Sequence, residues 1–119
     1  MVIIVEKESF MSAIPIQKTL SKEELYTLIQ NYQKNRDQKS KEMIILSNTK
    51  LVLSLMKRFY QKSNHYEDLF QVGIVGLIKA VDHFDTNYQL QFSTYAVPLI
   101  IREMKRYLRD NTQVKISRP

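Results

Sequence analysis

The sequence predicts an all-α domain, a compact bundle of about four to five helices. Its 119 residues match the size of one small domain. Two glycines and three prolines are few, so the turn signals that separate β-strands are nearly absent. In four segments the apolar residues recur every three or four positions, which is the period of an α-helix.

The first predicted helix begins after Ser21. Residues 1–20 mix apolar side chains with a proline and show no sustained period, so we expect a loosely ordered arm there. The sequence Ser-Lys-Glu-Glu then places Glu24 three residues after a serine, which is a capping-box pattern. A helix over about 22–35 is indicated by apolar residues at helical spacing, namely Leu25, Leu28, Ile29 and Tyr32.

Two further helices follow a polar turn at 35–38. The first is expected over about 39–62 and the second over about 66–83, separated by a polar break. The second contains Gly73 and Gly76, each of which costs about 1 kcal/mol relative to alanine inside a helix. Together with Ala80 they place small residues along one face, which favours close approach by another helix.

The last predicted helix covers about 93–109 and has a basic face. One side of this helix is an expected buried stripe at helical spacing, made by Val97, Ile101, Met104 and Leu108. The other side is basic and has the same kind of spacing, with Arg102, Lys105, Arg106 and Arg109. Such a basic face can meet phosphates or base edges. With Ser93 as N-cap, Pro98 would remove an internal hydrogen bond, so we expect a kink at 94–98 unless the helix begins at Pro98.

Charge favours a polyanionic partner. The formal net charge is +6, which suits nucleic acid or an anionic membrane face. Phe92 and Tyr95 precede the basic face, and we expect them to be unburied rings, which suit the stacking of unpaired bases. Residues 67–85 instead carry four acidic side chains against Lys79, a net charge of −3, which indicates a second partner that is not nucleic acid.

Several classes of protein are excluded or disfavoured by what the sequence lacks. There are no cysteines, so disulfide frameworks and cysteine-based zinc sites are excluded. His65 and His83 have no paired ligand spacing, and neither a phosphate-binding glycine loop nor a nucleophile elbow is present. We therefore expect no enzyme activity, no metal and no cofactor. With no signal peptide and no membrane-spanning apolar run, a cytoplasmic protein without membrane contact is expected.

The longest motifs resemble a known family. The stretch DLFQVGIVGLIKAVDHFD (68–85), followed by FSTYA (92–96), resembles region two of bacterial RNA polymerase sigma factors. NTKLVLSLMKRF (48–59) fits the start of that region, and VPLIIREMKRYLRDN (97–111) looks most like the sporulation and stress-response members. The resemblance implies a region-two domain at 21–112 with its core motif at 48–110. Residues 113–119 would then start a linker to C-terminal domains that this chain lacks.

In function, the resemblance implies a promoter-specificity factor with no catalysis of its own. Such a factor binds core RNA polymerase, recognises and melts the promoter minus-ten element, and here would serve sporulation or stress response. An anti-sigma protein is a further implied partner. The polymerase contact is a coiled coil of the largest-subunit clamp, and the positions matching it are Asp68, Gln71, Val72, Ile74 and Ile78.

The same resemblance implies a DNA surface. Tyr95 matches the ring that stacks on the first flipped base, and Phe84 and Phe92 belong to the same base-capture region. The remaining positions fall into three groups. Asn48, Lys50 and Leu51 match residues near a second captured base. Arg102 and Lys105 match positions that read the duplex edge, and Arg106 and Arg109 would hold phosphates. Housekeeping sigma factors have a tryptophan pair where this chain has Pro98 and Leu99, which implies a thinner aromatic wedge.

Two other interpretations remain open on the residues alone. A generic helical DNA-binding module, such as a helix-turn-helix repressor, needs a short turn before its recognition helix, and the loop at 84–91 is too long for that. A helical interaction protein that docks an acidic partner would account for the basic charge without DNA. The length of the motif at 68–96 favours the sigma factor.

Overall fold

The computed structural model describes residues 20–59, 65–87 and 90–116. Within these ranges every element of regular secondary structure is a helix, and the predicted all-α class is confirmed. The arm predicted for residues 1–20 lies outside the described residues, apart from residue 20. The elements are α1 (Lys22–Asn35), α2 (Gln38–Ser47), α3 (Thr49–Met56), a 3₁₀ turn (Lys57–Phe59), α4 (Tyr66–His83) and α5 (Phe92–Ile116).

Helix α1 begins and ends at local hydrogen bonds. Ser21 and Glu24 form both bonds of the capping box, with N···O distances of 2.9 and 3.1 Å. The helix ends at Arg36, which has φ 52° and donates its backbone N–H to Tyr32 O. The Arg36 guanidinium then pairs with Asp82 of α4 at 2.6 Å, so the first helix is tied to the end of the fourth.

The single helix predicted over 39–62 is divided at Asn48, so that prediction is wrong in its continuity. The backbone N–H of Asn48 donates to Ile44 O and Ile45 O, and its own carbonyl accepts from Val52 N. Its side-chain Nδ2 also donates to Ile44 O at 2.8 Å. A side-chain amide that competes for a helical carbonyl disturbs the regular ladder, which accounts for the break.

The core is built around the contact between α4 and α5. A Cβ added at Gly76 would lie 2.7 Å from Ile100 Cα and 2.7 Å from Leu99 O, both of them backbone atoms of α5. A Cβ at Gly73 would lie 2.6 Å from Met104 Cε and 2.8 Å from Val52 Cγ1. The predicted seam of small residues is therefore confirmed as a packing contact within the molecule.

Helix α5 differs from its prediction in both ends and in register. It begins at Phe92 instead of after Ser93 and continues to Ile116, which includes the first residues of the predicted linker. Between residues 92 and 110, where side-chain burial is described, its fully buried residues are Phe92, Ala96, Ile100 and Met104. Only Met104 belongs to the predicted stripe, whose other members are half-buried. The register is set by Gly76, because the cleft above this glycine admits the backbone at Ile100.

Pro98 lies inside α5 with helical residues on both sides, so the alternative of a helix that begins at Pro98 is wrong. Its ring is exposed, and so is Thr94, whose carbonyl would otherwise accept the missing hydrogen bond. Because this carbonyl belongs to the solvent side of the helix, water can replace the lost donor.

Replacing Gly76 with alanine should destabilise the fold. The new methyl group would meet backbone atoms of α5, which cannot move aside as the end of a side chain can. The free energy of unfolding should fall by about 1–3 kcal/mol, as for overpacked cores, despite the gain of about 1 kcal/mol in helix propensity. Urea unfolding followed by circular dichroism measures the change.

Gln71→Ala is the matched control, because Gln71 is exposed on the same helix. It should change the free energy of unfolding by less than about 0.5 kcal/mol. A Gly76→Ala protein as stable as the wild type would contradict the close approach of the two helices.

Candidate nucleic-acid and polymerase interfaces

Four aromatic rings meet where α4 ends and α5 begins, and Phe84 is at their centre. Its ring centroid lies 5.3 Å from that of Tyr26, 5.2 Å from that of Phe92 and 5.5 Å from that of Tyr95. Phe84 and Phe92 are each 2% exposed, whereas Tyr95 is half-buried at the surface. The expectation that Phe92 is unburied is wrong, because its ring packs edge-on against Phe84. Of the predicted base-capture rings, only Tyr95 presents a surface to solvent.

Helix α1 forms hydrogen bonds to the segment that follows α4, which carries Phe84. Gln33 Nε2 donates to Val81 O at 2.7 Å and to Phe84 O at 2.8 Å. Gln30 Nε2 donates to Thr86 Oγ1 at 2.7 Å, and the Tyr26 hydroxyl donates to Leu90 O at 3.4 Å. These residues were not predicted from the sequence, because contacts across about fifty positions leave no periodic or local signal.

The exposed face of α5 brings the predicted stacking ring and cations into one line. The spacing from Tyr95 to Pro98, Arg102, Lys105 and Arg109 alternates between three and four residues, so these side chains share one side of the helix. All but Tyr95 are exposed. Arg106 is also exposed and lies beside this line. Arg109 contacts only its neighbour Asp110 among the described ion pairs, at 3.5 Å. A flat ring followed by cations can meet an unpaired base and a phosphate backbone.

Asn48, Lys50 and Leu51, predicted near a second base, lie at the α2–α3 junction. Lys50 is exposed and Leu51 is half-buried. The Asn48 amide donates to Ile44 O and, at 3.3 Å, to Ser47 Oγ. Its side-chain donors are thus already used inside the protein, so any contact of Asn48 with a base would fall to its carbonyl oxygen or need these bonds to break.

The outer face of α4 is apolar at its centre. Gln71, Ile74, Val75 and Ile78 follow at i, i+3, i+4 and i+7, and we call them the α4 outer face. Val75 is 46% exposed and was not among the predicted contacts. The signal that could have identified it is this same spacing. An exposed apolar group of this kind suits a protein partner better than a nucleic acid.

The acidic residues of α4 lie around this face and are largely engaged within the molecule. Asp68 accepts a hydrogen bond from the Tyr107 hydroxyl at 3.2 Å, and Asp82 pairs with Arg36. Lys79 binds Glu103 of α5 at 2.7 Å, and half-buried Val72 lies between Asp68 and Lys79 on that side of the helix. The net charge predicted from the sequence is therefore less available to a partner than the residue count indicated.

The described part of the chain offers neither a metal cluster nor a membrane span. Residues 20–59, 65–87 and 90–116 contain no group of three or more histidine, aspartate or glutamate side chains placed to hold a metal ion. Across the same ranges, no helix combines the length and the apolar character needed to cross a bilayer.

Comparison with known proteins gives a consistent result. The family model for sigma-70 region 2 matches residues 44–114. The RNA polymerase sigma-G factor of Bacillus subtilis (strain 168) is 43% identical over 107 residues, which are 90% of this chain and 40% of that protein. The sigma-F factor of the same organism is 46% identical over 99 residues, 83% of this chain and 38% of that protein. Its sigma-B factor is 39% identical over 93 residues, 78% of this chain and 36% of that protein. The chain thus spans about two fifths of the length of these relatives.

The hydrogen bond between Tyr107 and Asp68 predicts a pH effect at the edge of the α4 outer face. Burial, and then the negative charge and hydrogen bond of Asp68, raise the pKa of Tyr107. The folded pKa lies above the unfolded value of about 10. The stability that the neutral Tyr107 side chain contributes in this position is therefore fully present below about pH 10, and it is lost as the pH rises through the folded pKa. NMR titration of the Tyr107 ring measures that pKa.

Asp68→Asn should lower the pKa of Tyr107, because it removes the negative charge that disfavours the phenolate. The pKa should stay above that of an exposed tyrosine, since burial remains. A pKa that does not respond to this substitution would show that the carboxylate does not face the hydroxyl.

Proposed function

The chain belongs to the sigma-70 region 2 family, and from this membership we propose that it is the promoter-recognition domain of an RNA polymerase specificity factor. In this proposal it binds core polymerase, recognises the minus-ten element and captures unpaired bases during melting, without catalysis of its own. The observation that carries the proposal is the single exposed line on α5, where Tyr95 is followed by Arg102, Lys105 and Arg109.

Base capture would rest on Tyr95. Its ring lies against Phe84, so one side is supported by the core while the ring remains half-exposed to receive a base. Stacking on an aromatic ring is worth about 1–3 kcal/mol per base and tolerates any base identity. Phe84 and Phe92 are buried, so we assign them to the support of Tyr95; direct contact with a base would require the rings to leave the core.

Duplex recognition would occupy the rest of the line. Arg102 and Lys105 are exposed about two to three turns beyond the stacking ring, where they can reach base edges of the paired DNA. Arg106 and Arg109 would neutralise phosphates. Asn48, Lys50 and Leu51 would form a separate contact for a second base at the α2–α3 junction, with Lys50 as its exposed cation.

Polymerase binding would use the α4 outer face together with Asp68 and Val72. An apolar centre made by Ile74, Val75 and Ile78, with a polar edge, is the arrangement of a protein interface. We assign the clamp coiled coil of the largest subunit as its partner, from the family resemblance of this helix. The same reasoning assigns the chain to sporulation or stress response and makes an anti-sigma protein a further partner, since its relatives include sigma-G, sigma-F and sigma-B factors.

Tyr95→Ala should weaken binding to a single-stranded, non-template minus-ten oligonucleotide by about 1–3 kcal/mol, because the stacking ring is lost. Tyr95→Phe keeps the ring and should bind nearly as the wild type does. Fluorescence anisotropy with a labelled oligonucleotide measures both, and the matching duplex gives the comparison. Wild-type protein that prefers the duplex would indicate a repressor-like module instead, and protein that binds neither would indicate an interaction protein.

Val75→Asp should abolish most of the affinity for core RNA polymerase, since it places a charge in the apolar centre of the α4 outer face. The expected loss is about 2 kcal/mol or more, which is the range of interface hot spots. Leu90→Asp is the matched control, because Leu90 is 43% exposed against 46% for Val75 and lies off α4. Equal affinity losses for the two variants would contradict the assignment. Oligonucleotide binding by Val75→Asp should be unchanged.

A further inference from the structure

The support beneath Tyr95 depends on Gln33, whose partner Phe84 lies 51 residues later in the sequence. Phe84 follows the last residue of α4 in an extended conformation, with φ −70° and ψ 131°. Its ring contacts Tyr95, so the direction in which the chain leaves α4 decides where the stacking ring rests. The side-chain amide of Gln33, on α1, donates hydrogen bonds to Val81 O before this turn and to Phe84 O within it.

The two bonds of Gln33 satisfy groups that the helix itself leaves open. The last four carbonyls of a helix have no partner within it. The backbone N–H of Phe84 donates to Ala80 O at 2.9 Å, and the side-chain amide of Gln33 donates to Val81 O. Both acceptors are carbonyl oxygens, so the amide nitrogen and not the amide oxygen must face them. One amide group thereby donates to two residues of the turn, Val81 and Phe84.

We propose that Gln33 is a positioning residue for base capture: it fixes the turn after α4, which fixes Phe84, which holds the ring of Tyr95 at the surface. This inference rests on the proposed role of Tyr95 in stacking. Gln33 is half-buried beneath the turn, and its action on a base passes through Phe84 and Tyr95. The Tyr26 ring also packs edge-on against Phe84, with ring centroids 5.3 Å apart, so α1 contacts this support twice.

The alternative is a helix cap that affects stability alone. Gln33→Met separates the two, because methionine keeps the size and neutrality of the side chain and removes both donors. Arg36→Gly is the matched control: it removes the ion pair between α1 and Asp82 of α4, suits the positive φ of that position and leaves the bonds to the Phe84 turn intact. Should Gln33→Met fail to fold, Gln33→Ala also lacks the donors and adds no charge beside the two carbonyl oxygens.

The first measurement needs no DNA. NMR of the full chain with labelled tyrosine rings, in which Tyr95→Phe identifies the Tyr95 signals, follows the ring directly. Gln33→Met should move these signals towards those of an unrestrained tyrosine while the protein stays folded, and Arg36→Gly should leave them in place. Unchanged Tyr95 signals in Gln33→Met would overturn the proposal.

The second measurement is a double-mutant cycle with the single-stranded minus-ten oligonucleotide. Gln33→Met should weaken binding about five- to tenfold, which is the lower range of coupling between sites. In the Tyr95→Ala background it should cause no further loss, because its effect passes through that ring. Additive losses would overturn the positioning role. Wild-type protein that does not bind the oligonucleotide, while the Tyr95 signals still respond to Gln33→Met, would overturn base capture and retain Gln33 as the residue that fixes the ring.

Discussion

The close approach of α4 and α5 at Gly76 determines the rest of this structure. The position of a Cβ at Gly76 would be 2.7 Å from the α5 backbone, so only glycine permits this packing. The contact brings Ile100 into the core and thereby chooses which side of α5 faces inward. Because the two helices bury the faces that meet at this seam, their outer faces point away from each other. One surface is the α4 outer face, and the other is the line from Tyr95 to Arg109. A single packing constraint thus separates the proposed polymerase contact from the proposed DNA contact.

Local signals predicted the elements well. The bounds of α1 and α4 agree with those expected from the sequence, since a capping box and a sustained apolar period define them within a few residues. The small-residue face of α4 was also predicted, because glycine inside a helix has few uses other than close packing. The break at Asn48 was missed, since the pattern of apolar residues continues across it and only the side-chain amide disturbs the ladder. The family motifs led us to propose Tyr95 and the α5 cations as DNA contacts, and Tyr95, Arg102, Lys105 and Arg109 share one side of the helix.

Contacts between distant segments could not be predicted in the same way. Phe92 was expected at the surface because it stands beside basic residues, yet its burial is decided by Phe84 from another helix. The negative charge that α4 offers to a partner was overestimated for a similar reason. Asp68 and Asp82 have partners on α5 and after α1, and a charge count along the sequence includes neither partner. Gln33 left no signal at all, because its function as a cap depends on a turn about fifty residues away.

Pro98 shows how the exposed line can work as one unit. The sequence predicted either a kink at 94–98 or a helix that begins at Pro98, and the second alternative is wrong. The structure instead has one helix that passes through Pro98, with the ring on the solvent side where water can satisfy Thr94 O. Tyr95 and Arg102 are seven residues apart, so at about 1.5 Å per residue they are separated by about 10 Å along the axis. Along the axis of duplex DNA, about 10 Å corresponds to about three base-pair steps of about 3.4 Å. A continuous helix holds the stacking ring and the first arginine at this fixed separation. In the proposed function, this separation fixes the distance between the captured base and the duplex edge. Pro98 lies between the two side chains on the same side of the helix and places a compact apolar ring there.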